Sequence, residues 1–384
     1  MRTFTIIHSA VVRARYLARH LRRADVRQRI RLAAQRYDTN VLRILTRIFK
    51  LYALDRYVPN ESLIYGLVNP AVPLSERRMH FSEERLHGYQ AAINSPESGI
   101  CRDKLAFHSY CHERNLPVAQ VYALISPLGS HSTHRGSLRT PDQWADLVES
   151  QLPDCVIIKP RSGRQGRSIR RFRKTDGSLL AAFQALEADC EDWLVQDCLR
   201  PHDAVAALTG TDALSSLRIF TLMNEHNVPE IMDAGFQLIT GNSITGNISD
   251  YASGRLSGNV VATPDLETGI IRRAWRANPD GVGYEWLSEH PDTGREVVGF
   301  QVPEWGAVVD LVHRAAGAFL PIRTAGWDVA ITNVGPVLIE VNERFQHSSI
   351  GPATDQFRRA LAEEANRLAE RIACIRKRHY EEQT

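Results

Sequence analysis

Apolar residues along the chain form short runs that alternate with segments of helical spacing. Three runs are typical of strands: Val118 to Ile125, Cys155 to Lys159, and "WLVQDCL" at 193–199. Three intervening segments have the signals of helices: Asp103 to Asn115, the segment capped by Thr140 with Pro141 next, and Ser178 to Asp189. Further along, "SSLRIFTLMN", "PEIMDAGFQLIT" and "GWDVAITNVGPVLIEVN" read as antiparallel strands. The pattern predicts an α+β fold with α/β layering.

The first part of the chain is predicted to be helical from residue 11 to residue 54. Apolar residues recur there at the spacing of one helix face: Val41, Ile44, Leu45, Ile48 and Tyr52. We favour a helix that docks on the rest of the protein with a solvated arginine face. The alternatives are contact with an anionic membrane surface and, last, binding of nucleic acid, because the aromatic residues are not interleaved as nucleic-acid binding requires.

Charge separates this head from the rest of the protein. Residues 1–56 hold 14 Arg and Lys against 3 Asp and Glu, a net charge of +11. The remainder has 33 basic residues against 41 acidic ones, or −8. Six cysteines without a CxxC pair favour reduced thiols, and no apolar run approaches the roughly 18 residues of a membrane span. We therefore expect a cytoplasmic protein, with residues 1–56 as the candidate for peripheral membrane contact.

The stretch "VIIKPRSGRQGRSIRRF" at 156–172 combines a strand end with a glycine-containing, donor-rich loop. A Walker A loop places its lysine after the glycines, whereas Lys159 precedes Gly163 and Gly166. That motif is excluded. What remains is a lysine at a strand end and a flexible loop able to close over phosphates.

The segment 326–342 reads as two apolar strands joined by a turn at "NVG", residues 333–335. If the hairpin is centred on Val334, Asp328 lies directly opposite Glu340, and Asn342 shares the face of Glu340 because side chains alternate. Oxygen ligands of this kind favour Mg²⁺ or Mn²⁺ over zinc. The alternative is a pair of exposed polar positions on a one-sided sheet.

Arg218 lies in a neighbouring predicted strand and could clamp a phosphate with its planar guanidinium, or pair with a surface acid. Together with Lys159, the glycine loop and the carboxylate hairpin, it favours a site for a nucleotide triphosphate and a metal ion. We find no persuasive nucleophilic triad. His290 and His347 could assist a proton transfer or serve as polar binding residues.

These motifs resemble those of the ATP-grasp family. "VIIKPRSGRQG" looks like its phosphate-binding strand and flexible loop, "WLVQDCL" like its adenine hinge, and "GWDVAITNVGPVLIEVN" like its metal-binding strands. "NISDYASGRLSGNV" and "HPDTGREVVGFQVPEW" are similar to the sugar-transfer-associated branch. The likeness runs from Asp103 to Gly351, and the basic head lies outside it. One departure is "ERFQHSS" after E-x-N, where many ligases of the family have a small residue and Pro-Gly.

The resemblance implies an ATP-grasp fold in which two α+β subdomains clamp ATP, with an added N-terminal helical region. The implied regions are a basic helical region at 1–60, an N-terminal subdomain at 61–152, a phosphate-loop and hinge subdomain at 153–199, and a metal-binding subdomain with a C-terminal helix at 200–384. The implied nucleotide-binding residues are Lys104, Lys159, Gly163, Gln165, Gly166, Ser168, Gln196, Asp197, Cys198, Leu199 and, for the ribose, Asp203. Arg218 would steady the transferred phosphoryl group, and Asp328, Glu340 and Asn342 would hold Mg²⁺ or Mn²⁺.

The implied activity is ATP-dependent ligation of a small carboxylate to a small amine. An acylphosphate would form first and react with the amine, which gives an amide, ADP and phosphate. Two alternatives stay open: phosphoryl transfer to a hydroxyl or a phosphoenzyme, and an ATP-binding partner of a glycosyl-transfer system at a membrane surface.

Overall fold

The computed structural model describes residues 13–94, 99–133, 136–163, 168–177, 179–248 and 256–381. Its helices are α1 over residues 13–22, α2 Ala24–Arg36, α3 Val41–Asp55, α4 Pro59–Ile64, α5 Glu83–Ile93, α6 Lys104–Glu113, α7 Pro141–Asp146, α8 Leu179–Glu187, α9 Asp203–Thr209, α10 Trp305–Ala318 and α11 Pro352–Glu381. None of these described helices is both long enough and apolar enough to cross a membrane.

The first sheet has six strands in the order β3-β2-β1-β6-β4-β5. Its strands are β1 Val121–Ile125, β2 Ser130–Ser132, β3 Gly136–Leu138, β4 Cys155–Pro160, β5 Arg170–Arg173 and β6 Trp193–Asp197. Helices α7 and α8 contribute Trp144 and Phe183 to the apolar cluster against it. The boundary predicted between 152 and 153 runs through this sheet, so the structure joins both segments in one unit.

The second sheet has seven strands in the order β11-β10-β9-β8-β7-β12-β13. Its strands are β7 Ser216–Met223, β8 Pro229–Leu238, β9 Val260–Pro264, β10 Ile271–Ala277, β11 Tyr284–Leu287, β12 Thr324–Thr332 and β13 Gly335–Asn342. Helix α10 packs Val308, Leu311 and Val312 on the largest apolar cluster, which also contains Trp327 of β12. The two antiparallel sheets with their helices confirm the predicted α+β class.

Local sequence signals account for several element ends. Asp103 caps α6 because its carboxylate accepts from the amides of Leu105 at 2.9 Å and Ala106 at 3.2 Å. Thr140 and Gln143 form the reciprocal capping box of α7. The predicted strand from Val118 instead begins at Val121, because Val118 makes a bridge to the second sheet. The start predicted at Ser178 lies outside the described residues.

The basic head, predicted to be helical over 11–54, contains the three helices α1, α2 and α3. The chain turns between α2 and α3, where Asp38 has a φ of 44° and Asn40 accepts from the Arg43 amide to cap α3. Residues 57–94 contain the helices α4 and α5. Leu86 and Ile93 of α5 are buried in an apolar cluster. The sequence around them is mostly polar and does not predict this burial.

The head packs on the rest of the protein through the inner face of α3. Ile44 and Ile48 are fully buried, and they share a cluster with Leu63, Val68 and Val282. On α2, the Arg36 guanidinium donates to the Val282 carbonyl and pairs with Asp280 at 2.6 Å. This arrangement supports the docking interpretation of the head.

Asn94 ties the end of α5 to the second sheet. Its amide nitrogen donates to the carbonyls of Thr324 at 2.6 Å and Glu343 at 3.2 Å, and its oxygen accepts from the amides of Arg323 at 2.9 Å and Thr324 at 3.0 Å. Because Asn94 is buried, no water can replace these four bonds without rearrangement.

Asn94→Ala should lower the free energy of unfolding by about 2–4 kcal/mol, because it leaves buried backbone groups without partners. Chemical denaturation measures the change. Gln28→Ala, at an exposed position in α2, is the control and should change stability by less than about 0.5 kcal/mol. Equal stability of the two variants would contradict the role of Asn94.

Candidate functional site

Three charged side chains form one row across adjacent strands of the second sheet. Arg218 on β7 is the cross-strand partner of Asp328 on β12, which is the partner of Glu340 on β13. Arg218 donates from Nε to Oδ1 and from Nη2 to Oδ2 of Asp328, both at 2.7 Å. This bidentate pair fixes the first carboxylate beside the second.

The predicted pairing of Asp328 with Glu340 is confirmed, but the predicted turn is wrong. Thr332 pairs with Gly335, so the turn has two central residues rather than three. The register then shifts between Asp328 and Val329, which leaves Ile339 of β13 without a partner on β12. This bulge restores the pairing that the short turn would have lost.

The bulge also decides which way Glu340 faces. Leu338 and Val341 are both buried in the main apolar cluster although they are three positions apart. With regular alternation and the two-residue turn, Glu340 would pair with Trp327, a core residue, and would point into the core. The extra residue turns Glu340 to the opposite face, where Asn342 also lies.

The residues after β13 also place side chains on the face that carries Glu340 and Asn342. Arg344 and Gln346 line a cavity together with Glu340 and Asn342, whereas Phe345 is buried. Phe345 packs closely on Gly326, where an added Cβ would come within 2.7 Å of the Phe345 Cβ. The absence of a side chain at position 326 therefore lets the tail lie against β12.

Two lysines approach this row, Lys159 from the first sheet and Lys104 from the start of α6. Lys159, near the end of β4, is only 8% exposed. Lys104 Nζ donates to the carbonyl of Gly163 at 2.9 Å, at the start of the glycine loop. Arg161 anchors this corner, because it pairs with Asp103 at 2.6 Å and Asp192 at 3.1 Å.

Burial governs the protonation of these groups. It lowers the pKa of Lys159 to about 8, against the opposing attraction of Glu340. Burial likewise lowers the pKa of Lys104. The pKa of Glu340 is raised, mainly by burial and next by the neighbouring charge of Asp328. An anion near the lysines and a cation near the carboxylates would each offset these costs.

A cavity of about 280 Å³ lies between the two sheets and brings most of the predicted site together. Its lining includes nine of the predicted residues: Lys159, Gln196, Asp197, Cys198, Leu199, Arg218, Asp328, Glu340 and Asn342. The apolar side chains of Ile157, Ile169 and Leu214 also line it. Apolar and charged side chains therefore line the same cavity, as expected for a ligand with a ring and an ionic group.

Other predicted residues lie elsewhere. Lys104 and Gly163 are beside each other but are not among the lining residues, and Ser168 is exposed. Gln165 and Gly166 lie outside the described residues. Asp203 accepts from Asn333 Nδ2 at 2.8 Å, so its carboxylate is bound to the turn of the β12–β13 hairpin rather than directed into the cavity.

The two histidines named from the sequence are internal. His290 is fully buried and its Nε2 lies 3.0 Å from the Ile239 carbonyl. His347 Nε2 lies 2.9 Å from Asp233 Oδ2, and its ring lies 4.6 Å from that of Phe220. Neither histidine lines the cavity, and both contact groups inside the protein instead.

Several lining residues were not anticipated from the sequence. They come from α5, from β8 and the segment after it, and from the tail of β13: Glu83, His87, Gln237, Ile244, Thr245, Gly246, Asn247, Arg344 and Gln346. The alternation of Glu340, Asn342, Arg344 and Gln346 was the available signal for the tail. Residues 244–247 have no periodic pattern, so only the folded chain brings them here.

The side chains opposite Lys159 suit a hard divalent cation. Asp328, Glu340 and Asn342 offer oxygen atoms alone, the ligand set that Mg²⁺ prefers. Within the described residues, the structure gives Glu340 and Asn342 no hydrogen-bonding partner for their side chains. Among the described residues, no group of three or more His, Cys, Asp or Glu could hold a metal ion.

Comparison with known proteins identifies the family. The family model described as sugar-transfer associated ATP-grasp matches residues 84–356, which is well over half of the chain. The chain belongs to this family. The match begins within α5, ahead of the resemblance at Asp103, and the basic head again lies outside it.

Solved structures give weaker likenesses. The D-alanine-D-alanine ligase from Coxiella burnetii is 11% identical over 73% of this chain and 62% of its own, with a TM-score of 0.38. A D-cycloserine synthetase is 13% identical over 74% of this chain and 80% of its own, with a TM-score of 0.41. The chain thus covers less than two thirds of the first of these. No curated protein matches it.

Lys159 should make stability depend on pH even without a ligand. Its folded pKa of about 8 lies below the ordinary 10.5, so the unfolded chain holds the proton more tightly between these values. The wild type should therefore gain about 2 kcal/mol of unfolding free energy, relative to Lys159→Met, from pH 8 to about pH 10. Denaturation of both proteins at each pH measures it. Parallel pH curves would show that Lys159 titrates normally.

Proposed function

We propose that this protein is an ATP- and Mg²⁺-dependent ligase that joins a carboxylate to an amine through an acylphosphate, releasing ADP and phosphate. One observation carries the proposal. The row Arg218–Asp328–Glu340 and the buried Lys159 face one cavity from opposite sheets. Membership of the sugar-transfer associated ATP-grasp family supports nucleotide-dependent chemistry at this place.

A nucleotide fits a cavity whose lining includes both apolar and charged side chains. The hinge 196–199 offers backbone and side-chain polar groups to a base, and Ile157 and Ile169 offer apolar contact to its faces. Lys159 would meet the phosphates, and so would Lys104, which begins α6 and donates to Gly163 of the glycine loop. Burial disfavours the charged form of these lysines, and a bound phosphate would stabilise that form.

Asp328, Glu340 and Asn342 would hold Mg²⁺, with Mn²⁺ as a substitute. When bound, the ion supplies charge neutralisation on phosphate oxygens. The protein's own contribution is to orient these ligands: Arg218 fixes Asp328, and the bulge at Ile339 aims Glu340.

The reaction needs no side-chain nucleophile. A carboxylate oxygen of the substrate attacks the γ-phosphorus, a P–O bond forms, and the bond from that phosphorus to ADP breaks. The amine then attacks the acyl carbon, phosphate departs, and the amine loses a proton. Lys159 and Arg218 would stabilise the negative charge that moves among the phosphate oxygens in the first step.

A second candidate is phosphoryl transfer to a hydroxyl, which the same cations and cavity could support. The description of the family as sugar-transfer associated favours an acceptor, or a partner, in sugar metabolism. The two candidates give different products from ATP. A ligase releases phosphate together with ADP, whereas a phosphotransferase releases ADP while the phosphoryl group stays on the acceptor.

Lys159→Met and Glu340→Gln should each lower ADP release by at least about 100-fold, because each removes a charge that acts on the phosphates or their cation. The assay supplies ATP, Mg²⁺ and pooled small acids and amines, and it measures ADP, AMP, phosphate and product mass. Asp203→Asn is the matched control and should keep most of the activity, since that carboxylate contacts Asn333.

Circular dichroism and melting establish that the variants are folded. AMP as the product, or near-normal ADP release by either site variant, would contradict the proposed function. ADP without free phosphate would favour the phosphotransferase instead.

A further inference from the structure

The helix α3 has a second apolar face, which points away from the protein. Leu42 is 72% exposed and Phe49 is 51% exposed, and Ala53 is also exposed. Their spacing of seven and four residues places them on one side of the helix. The buried residues Ile44, Ile48 and Leu51 occupy the opposite side. The helix is therefore apolar on both sides, and the residues that the structure describes cover only the inner side.

The inner contacts hold this outer face in a fixed orientation. Arg47 donates to the Leu67 carbonyl at 2.5 Å and to the Val72 carbonyl, which ties the helix to the loop after α4. Asp55, at the end of α3, is paired with Arg77 and with Arg85 at 3.2 Å. Leu42 and Phe49 are thus presented by a helix that is packed and bonded along its length.

The charges beside the outer face are positive. Arg43 and Lys50 are exposed, and each follows an apolar position of the outer face by one residue, so both lie along the same edge of that face. The sole acidic residue of α3 is Asp55, and its charge is already paired by two arginines. Helices α1 and α2 add exposed arginines to the same positively charged head: Arg15, Arg19, Arg22, Arg27 and Arg31.

We propose that the outer face of α3, defined by Leu42, Phe49 and Ala53 with Arg43 and Lys50, docks on an anionic lipid surface. The apolar side chains would enter the boundary between headgroups and acyl chains, and the two cations would lie at headgroup level. The net charge of +11 in residues 1–56 would strengthen the attraction. The proposal concerns location and does not depend on the reaction at the cavity.

Two other occupants fit this face less well. The phosphates of a nucleic acid would pair with the cations, but its backbone has no apolar surface that Leu42 and Phe49 could contact. A second copy of the chain would place Arg43 and Lys50 near the same charges of its partner. A stable interface also needs about 800 Å² from each partner, more than one short helix face supplies.

The test is co-sedimentation of the full chain with vesicles of equal parts phosphatidylglycerol and phosphatidylcholine, and with vesicles of phosphatidylcholine alone. The wild type should bind the anionic vesicles, and binding should weaken as salt is added. Leu42→Asp with Phe49→Asp should lower the partition constant by about tenfold or more. Arg43→Gln with Lys50→Gln should weaken binding and flatten its salt dependence.

The matched control is Leu128→Asp with Val228→Asp, which adds the same charge at two exposed apolar positions in other parts of the chain. It should bind vesicles like the wild type. All variants should melt like the wild type, and if the double aspartate variant does not, the double glutamine variant carries the test.

Three results would overturn the proposal: no binding of the wild type to anionic vesicles, unchanged binding by the double aspartate variant, or equal loss in the control. Sedimentation equilibrium distinguishes the remaining occupant. A wild-type dimer that Leu42→Asp with Phe49→Asp dissociates, without any vesicle binding, would assign the face to a second copy of this chain.

Discussion

Two carboxylates that face one another across neighbouring strands set the main physical constraint on this protein. Like charges in directly opposed positions destabilise a sheet, and burial adds to the cost. The structure answers with cations from two directions. Arg218 binds Asp328 from the next strand of the same sheet, and Glu340 is attracted by Lys159 of the other sheet and by Lys104 at the start of α6.

This constraint links the two sheets. The Leu338 amide donates to the Pro117 carbonyl at 2.9 Å, just ahead of β1, so the carboxylate strand is anchored where the first sheet begins. The hinge strand β6 lies between β1 and β4, next to the strand that carries Lys159. The polar cavity therefore lies where two separately packed cores meet, and its charges are compensated only while the sheets stay together. A protein without a ligand retains part of this cost, which is the usual compromise between stability and activity.

The sequence predicted best what depends on neighbouring residues. The cap of Thr140, the helix predicted from Asp103 and the strands that carry Lys159 and Arg218 follow from local rules. The pairing of Asp328 with Glu340 was obtained with a turn one residue too long, and the bulge at Ile339 compensated for that error. A bulge depends on packing against Trp327 and the core, which no local pattern records.

Long-range contacts explain the other differences. Helix α5 has a mostly polar sequence. Its apolar residues are buried because distant residues such as Phe357 of α11 belong to the same cluster. Asp203 has the residue type for binding a ribose, yet the fold brings Asn333 within reach of it. Along α3, periodicity revealed the inner face, whereas the exposure of Leu42 and Phe49 required the packed structure.

The central claim is that Asp328, Glu340 and Asn342 hold a divalent ion against the phosphates of a bound nucleotide. Electron paramagnetic resonance of Mn²⁺ with ADP tests it without knowledge of the acid or the amine. The account predicts hyperfine coupling between Mn²⁺ and the phosphorus of ADP in the wild type, and loss of protein-bound Mn²⁺ in Glu340→Gln while ADP still binds. Unchanged Mn²⁺ binding and coupling in Glu340→Gln would contradict it.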